Sequence, residues 1–224
     1  MIKGIIFDFD GVLIDSEHIN ITAGIQAFKE FGYDLSNADK KLIPGQHSEN
    51  VISQILKLRG LDLPKEALRE QYSKAYGDMW EDAVTVMPQA KETLQRLKSG
   101  GITLGLATNN YRSRVETFLK QTELGNIFSV IVSGEDVAKR KPDPEVYVRA
   151  KIKLGLPDES ILAIEDGAVG LASAKGAGLR CAIILNQYSA GQDFSNADFV
   201  FKSLAELINH LSENKLMDKI FLPA

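Results

Sequence analysis

Five short apolar runs are the feature of this sequence that most restricts its fold. Each is too short for a typical helix, and none alternates cleanly between apolar and polar residues. Runs that are apolar on both faces are typical of strands in a parallel sheet that helices cover on both sides. The runs span residues 4–7, 102–107, 129–132, 161–164 and 181–185. They predict five strands of one buried parallel sheet.

Helical patterns separate the later runs. Residues 88–97 lead to a Ser-Gly-Gly stop, and residues 112–124 lead to Gly125. Asp143 and Pro144 supply an N-cap and a first-turn proline for a helix that ends at Leu154 and is closed by Gly155. Because strands and helices alternate, we expect an α/β fold with a doubly wound, Rossmann-like parallel sheet core.

One long segment interrupts this alternation. From about residue 16 to residue 83 the sequence predicts only helices, over 17–31, 49–59 and 65–81. A helical insert after the first strand has the size of a small domain. The predicted division is therefore a catalytic core of residues 1–15 plus 85–224 and an α-helical cap domain of residues 16–84.

Composition excludes several classes of protein. Of the 224 residues, 44% are hydrophobic and 25% are charged, which excludes a disordered chain. A net charge of −4 argues against a nucleic-acid partner or a basic membrane-facing surface. No stretch approaches the ~20 apolar residues of a membrane span, and a single cysteine fits a reducing compartment. We expect a cytoplasmic monomer or weak homodimer without a membrane or nucleic-acid partner.

Polar residues with chemical potential follow four of the apolar runs. In a doubly wound sheet, ligands bind beyond the carboxyl ends of the strands, so these residues are expected to meet at one edge. They are Asp8 and Asp10 after the first run, Thr108 and Asn109 after the second, Lys141 in the loop after the third, and Glu165 and Asp166 after the fourth.

Each of these residues also has an ordinary structural interpretation. Taken alone, Asp8 is a typical turn or N-cap residue, Thr108 a cap, and Lys141 a solvated loop charge. A calcium loop beginning at Asp8 is excluded, because its sixth position is Leu13 and its twelfth is Ile19. Coincidence at four strand ends is a poor explanation, so we interpret the set as one functional site.

Electrostatics indicates what such a site requires. The electrostatic repulsion within each close pair of carboxylates is about 4 kcal/mol at an effective dielectric constant near 20. A multiply charged cation is therefore needed among them. Oxygen ligands without histidine or cysteine favour a hard cation, and Mg²⁺ suits a site that also holds a phosphate. Carboxylates, Mg²⁺, a hydroxyl and a lysine together indicate phosphoryl transfer.

In this order, the four motifs resemble those of the haloacid dehalogenase superfamily. They read Asp8-Phe9-Asp10-Gly11-Val12, Thr108-Asn109, Lys141-Pro142-Asp143 and Glu165-Asp166. With a helical insert after the first motif, the chain is similar to the branch that includes phosphoglycolate phosphatase, small sugar phosphatases and β-phosphoglucomutase.

The resemblance implies a role for each motif residue. Asp8 is expected to be the nucleophile that forms an aspartyl phosphate, and Asp10 the general acid and base. Mg²⁺ is expected to be bound by the Asp8 carboxylate, the Asp10 backbone carbonyl and Asp166. Glu165 is expected to lie next to these ligands, farther from the ion. The phosphate is expected to be held by Thr108, Asn109 and Lys141.

The expected activity is hydrolysis of a small phosphorylated metabolite, such as a sugar phosphate or a phosphoglycolate-like compound. A phosphomutase is the first alternative, but the cap loop reads Gly45-Gln46-His47-Ser48-Glu49-Asn50, without the arginine that β-phosphoglucomutases use. Gly45, Gln46 and His47 are the candidate substrate contacts of that loop. A non-enzymatic phospho-aspartate signalling module is the second alternative, although such modules resemble shorter chains without an insert.

Two further features are interpreted as structural. Cys181 lies in an apolar run and is expected to fill the core rather than to react. Residues 216–224 are expected to pack on the core or against a second subunit.

Overall fold

The computed structural model describes residues 1–46 and 48–213. In chain order its strands are β1 (Gly4–Phe7), β2 (Ile14–Asp15), β3 (Thr85–Val86), β4 (Thr103–Ala107), β5 (Val130–Val132), β6 (Ile161–Glu165), β7 (Arg180–Ile184) and β8 (Phe199–Phe201). Its helices are α1 (Glu17–Glu30), α2 (Asn37–Lys40), α3 (Ser48–Arg59), α4 (Lys65–Ala83), α5 (Ala90–Ser99), α6 (Arg112–Gln121), α7 (Glu145–Leu154), α8 (Ala168–Gly176) and α9 (Leu204–Glu213).

Six of the strands form one parallel sheet in the order β5-β4-β1-β6-β7-β8. From β1 the chain adds strands first on one side and then on the other, so the strand order reverses at β1. In the register of the sheet, Phe7 lies opposite Leu106 of β4 and Ile164 of β6. The residues that follow these positions therefore leave the sheet side by side, at the place where doubly wound folds bind ligands. The predicted fold class is confirmed.

Burial on both faces explains why the strands read as apolar runs. Ile5, Ile6 and Phe7 of β1 are completely buried. Ile6 belongs to a core cluster with Val146 of α7 and Leu171 of α8. Cys181 is buried in β7 in the same cluster, as its apolar run indicated.

By compactness the chain divides into two units. One comprises Met1–Ile14 and the chain from Val86 onward, and the other comprises Asp15–Thr85. The second unit holds α1 to α4 and has a core of its own, which includes Phe28, Ile52 and Tyr72. The chain passes between the units at β2 and β3, which form a two-stranded sheet.

Three predicted helix boundaries in the first unit were wrong for local reasons. α5 begins at Ala90 rather than residue 88, because Gln89 has a left-handed backbone with φ of 64°. α6 ends at Gln121 rather than residue 124, since Glu123 also has a positive φ of 59°. α7 begins at Glu145 rather than at Pro144, and Pro144 instead of Asp143 is its N-cap. The Asp143 carboxylate still accepts a hydrogen bond from the Glu145 N–H, 3.0 Å away.

Several elements were not predicted. The edge strand β8 has three residues, of which Val200 is exposed, so it shows neither the length nor the burial of the other strands. α2 has four residues and depends on a capping box between Ser36 and Asp39. α9, β2 and β3 were also missed.

Across the described ranges, the structure shows no helix whose length and apolar character would suit a membrane crossing. The interpretation of residues 216–224 concerns a segment that lies outside the described residues.

Candidate active site

Lys141 links two of the predicted carboxylates. Its Nζ donates hydrogen bonds to Asp8 Oδ1 at 2.7 Å, to the Ala107 carbonyl at 2.8 Å and to Glu165 Oε1 at 2.7 Å. The side chain is 4% exposed. Burial alone would lower the pKa of Lys141, but Asp8 and Glu165 raise it above its ordinary value. Lys141 is therefore a buried ammonium ion that uses all three N–H donors.

The sheet register positions Asp8 and Thr108. The Asp8 N–H donates to the Ile164 carbonyl at 2.8 Å, and the Thr108 N–H donates to the Val132 carbonyl at 3.0 Å. Each residue thus extends its strand by one ladder bond before the chain turns away. Both are buried, Asp8 at 9% exposure.

Glu165 is the most enclosed carboxylate of the site. It is 1% exposed and accepts hydrogen bonds at Oε1 from Lys141 and from the Tyr147 hydroxyl, the latter at 2.6 Å. A Cβ on Gly170 would lie 1.9 Å from Glu165 Oε2, so only glycine at that position leaves room for the carboxylate. Burial, with the charge of Asp8, raises the pKa of Glu165 above its ordinary value, while Lys141 and Tyr147 act in the opposite direction.

Asp166 is held between two other parts of the core. The Asn186 Nδ2 donates to Asp166 Oδ2 at 2.7 Å. A Cβ on Gly11 would lie 1.9 Å from the same oxygen, and Gly11 has a φ of 72°, so this position requires glycine on both grounds. Gly11 and Asn186 together restrict the orientation of the Asp166 carboxylate.

Asp8, Glu165 and Asp166 form a group suited to a metal ion. Each offers one carboxylate oxygen, and these atoms lie within 4.8 Å of one another. Three carboxylates outweigh the single ammonium of Lys141, so the group is short of positive charge. Carboxylate oxygen donors are the ligands that hard cations prefer. The residues therefore fit Mg²⁺.

Asp10 is connected to the site through Asn110. The Asn110 Nδ2 lies 3.1 Å from each carboxylate oxygen of Asp10. The other end of this amide, Oδ1, accepts from the Tyr111 N–H and from Arg114 Nη1, both at 2.9 Å. These acceptor bonds direct the NH₂ group toward Asp10. The Asp10 side chain is not part of the three-carboxylate group found among the described residues.

Asn109 fixes the loop that carries Lys141. Its Oδ1 accepts from the Lys141 N–H at 2.8 Å, and its Nδ2 donates to the Lys141 carbonyl at 3.3 Å. The Thr108 Oγ1 accepts from the Asn110 N–H at 2.9 Å, which is the cap-like bond of its ordinary interpretation.

The candidate residues of the cap loop make local contacts within the second unit. The Gly45 N–H donates to Glu17 Oε1 at 3.1 Å, and the Gln46 Nε2 donates to the Leu42 carbonyl at 2.9 Å. His47 lies outside the described residues. A substrate role for this loop remains a prediction.

Sequence reasoning missed three side chains of the site. Asn186 directly follows the fifth apolar run, residues 181–185, so the strand-end rule would have found it had it been applied to that run. Asn110 adjoins the predicted Asn109. Tyr147 lies inside α7, where its helical position gave no signal.

The fold and the site together define an α/β enzyme whose functional groups lie at the carboxyl ends of its strands. The sequence matches the family described as haloacid dehalogenase-like hydrolase over residues 5–184. The chain belongs to this family.

Individual relatives agree with this assignment. Protein CbbY of Rhodobacter capsulatus is 34% identical over 218 residues, which cover 91% of this chain and 94% of that protein. Phosphoglycolate phosphatase of Salmonella typhi is 26% identical over 230 residues, which cover 92% and 91%. Two crystal structures of CbbY from Rhodobacter sphaeroides are also similar to this chain, one in complex with phosphate and one, of a mutant, in complex with xylulose-1,5-bisphosphate. Both have a TM-score of 0.76, and their sequence identities to this chain are 29% and 28%. Each match covers 92% of this chain and 96% of the CbbY chain. The predicted family and the prediction of a phosphatase-type enzyme are confirmed.

Proposed function

We propose that this enzyme is a Mg²⁺-dependent phosphatase that hydrolyses a small phosphorylated metabolite through an aspartyl phosphate on Asp8. The observation that carries the proposal is the buried Lys141 ammonium, which bonds to both Asp8 and Glu165 beside the Asp166 carboxylate. A lysine and carboxylates at the strand ends of a doubly wound sheet are the parts that phosphoryl transfer needs.

In the first step, an oxygen of Asp8 attacks phosphorus as the bond to the leaving oxygen breaks. Lys141 holds Asp8 in place and offsets negative charge on the transferring group. Thr108 and the Asn109 backbone amide bind phosphate oxygens. Asn109 also supports Lys141 through the two bonds to its backbone.

Asp10 serves both half-reactions. As an acid it protonates the leaving oxygen, and as a base it takes a proton from the water that attacks the aspartyl phosphate. Its carboxylate is positioned by the Asn110 amide, whose orientation Tyr111 and Arg114 determine.

Mg²⁺ would be held by Asp8, the Asp10 backbone carbonyl and Asp166. Glu165 would lie next to these ligands, farther from the ion. Bound Mg²⁺ supplies positive charge that stabilises the phosphate oxygens during transfer. The oxygen donors of the three-carboxylate group and their shortage of positive charge support this assignment.

A sugar phosphate or a phosphoglycolate-like compound is the proposed substrate class. One relative is a phosphoglycolate phosphatase, and one related structure contains xylulose-1,5-bisphosphate. We propose that residues 16–84 act as the cap domain and contact substrate through Gly45, Gln46 and His47. We also propose that the enzyme acts in the cytoplasm as a monomer or weak homodimer. Gel filtration tests the oligomeric state.

The decisive experiment substitutes the nucleophile. Asp8→Asn should lower hydrolysis of p-nitrophenyl phosphate in the presence of Mg²⁺ by about a thousandfold or more, with an unchanged circular dichroism spectrum. Asp62→Asn, at an exposed loop position, is the matched control and should retain full activity. Turnover by Asp8→Asn at the wild-type rate would refute the proposal.

A further inference from the structure

The Gln192 side chain caps helix α8 from outside the helix. α8 begins at Ala168, and its N-cap residue is Gly167, which has no side chain to accept a hydrogen bond from the first helical N–H groups. The Gln192 Oε1, 24 residues away in sequence, accepts instead from the Ala168 N–H at 2.7 Å. Ala168 lies two residues after Asp166, which we assign to Mg²⁺. Gln192 therefore fixes the backbone beside a proposed metal ligand.

The same amide also binds the loop that follows β7. The Gln192 Nε2 donates to the Tyr188 carbonyl at 3.1 Å, and the Tyr188 N–H donates to Asn186 Oδ1 at 2.8 Å. Because Asn186 Oδ1 is occupied in this way, the NH₂ group of the Asn186 amide faces Asp166 Oδ2, 2.7 Å away. Gln192 thus reaches Asp166 by a second route, through two residues of this loop.

Together these contacts close a ring, here called the support ring. Its members are Asp166, Ala168, Gln192, Tyr188 and Asn186, joined by the backbone between residues 166 and 168 and by the hydrogen bonds given above. An amide that is bonded at both ends cannot turn without breaking a bond elsewhere in the ring, so the bonds support one another. The support ring therefore restricts the Asp166 carboxylate more than the bond from Asn186 does alone.

Capping of α8 does not by itself explain this arrangement. A cap requires only the acceptor oxygen of Gln192, whereas the NH₂ group of Gln192 is bonded to Tyr188. The backbone of Gly167, with φ of −132° and ψ of 157°, lies in the extended region that is typical of N-cap residues with a side chain. A Cβ on Gly167 would lie 3.4 Å from Gln192 Oε1, an ordinary van der Waals distance. A hydroxyl side chain at this position would therefore cap α8 locally.

We propose that Gln192 is a positioning residue for Asp166 and that it raises the affinity of the site for Mg²⁺ through the support ring. The inference rests on the proposed function, because Asp166 is a ligand of Mg²⁺ only in that proposal. Gln192 acts at a distance from the ion, since it holds the backbone at Ala168 with one end of its amide and the Asn186 loop with the other.

The test separates capping from positioning. Gln192→Ala is made in the wild type and in a Gly167→Ser background, where the new hydroxyl caps α8 but does not restore the bond to Tyr188. Isothermal titration calorimetry gives the dissociation constant for Mg²⁺, and thermal melting without Mg²⁺ gives the stability. Gln192→Ala should weaken Mg²⁺ binding about tenfold in both backgrounds, whereas it should lower the melting temperature less in the Gly167→Ser background. Gln95→Ala, at an exposed position of α5, is the matched control and should bind Mg²⁺ like the wild type.

Two results would overturn the proposal: equal Mg²⁺ affinity of the wild type and Gln192→Ala, or a loss of affinity that disappears in the Gly167→Ser background. If the wild type binds no Mg²⁺, the proposed function is wrong, and amide hydrogen exchange of the metal-free protein then tests the support ring. Asn186→Ala should speed exchange of the Ala168 N–H several-fold, because Tyr188 loses its acceptor and Gln192 is held less firmly. Unchanged exchange in that variant would show that the ring does not act as a unit and would overturn the positioning role of Gln192.

Discussion

The Asn186 side-chain amide donates a 2.7 Å hydrogen bond to Asp166 Oδ2, across a separation of 20 residues. Asn186 follows β7, whereas Asp166 follows β6, and these strands are neighbours in the sheet. The bond occupies one oxygen of a carboxylate that we assign to Mg²⁺. Groups that orient metal ligands in this way contribute to the affinity for the metal.

Asn186→Ala should therefore weaken Mg²⁺ binding by about tenfold or more. Isothermal titration calorimetry measures this directly, without turnover. Asn126→Ala, at an exposed loop position, is the matched control and should bind Mg²⁺ like the wild type. If both variants have the same Mg²⁺ affinity, the bond from Asn186 does not support the metal site.

Replacing Lys141 should destabilise the fold as well as abolish activity. Lys141→Met leaves Asp8 and Glu165 buried without their counter-charge, and breaking a buried ion pair in this way costs about 3–5 kcal/mol. Urea unfolding without Mg²⁺ measures the loss. Lys141→Met combined with Glu165→Gln should regain part of the stability, because one unpaired charge is then removed. Unfolding of Lys141→Met at the wild-type urea concentration would show that the pairing is energetically unimportant.

Two glycine substitutions distinguish steric exclusion from helix propensity. Gly170→Ala in α8 should cost about 2 kcal/mol of stability and reduce phosphatase activity, because the new Cβ would overlap the Glu165 carboxylate. Gly77→Ala in α4 meets no atom within 4 Å and should stabilise by up to about 1 kcal/mol. Thermal melting and p-nitrophenyl phosphate hydrolysis report both effects. The idea fails if Gly170→Ala melts and reacts like the wild type.

Acid should weaken the second unit through Asp39. Burial opposes ionisation of this carboxyl, but hydrogen bonds from Ser36 and Arg59 prevail and lower its pKa from 3.8 to about 2. The unfolded chain therefore binds more protons than the folded chain in this range. The stabilisation by Asp39 is fully present above pH ~4 and is lost as the pH falls toward 2.

Asp39→Asn should remove that pH dependence and lower stability at neutral pH by about 2 kcal/mol. The single tryptophan, Trp80, lies in α4 of the same unit, so its fluorescence during urea unfolding reports on this part of the chain. Asp62→Asn is the control and should keep the wild-type slope. An unchanged slope between pH 4 and 2 in Asp39→Asn would contradict the assignment.

Local pattern was sufficient for five of the six strands of the parallel sheet and for most of the residues that meet at its edge. The five apolar runs became β1, β4, β5, β6 and β7 because a strand buried on both faces has to be apolar throughout. The strand-end rule then located Asp8, Lys141, Glu165 and Asp166, since parallel strands deliver their next residues to one edge. These features depend on short stretches of sequence and on one topological rule.

The partners of these residues were decided by the tertiary structure. Lys141 is 133 residues from Asp8, and Tyr147 reaches Glu165 from the interior of a helix. Gly170 and Gly11 are required where they stand only because carboxylates pack against them. Such contacts depend on how segments far apart in the sequence pack against each other. A local sequence pattern does not show which distant segments will come into contact. The sequence by itself thus determined which residues reach the site, and the packing of distant segments decided what holds each of them there.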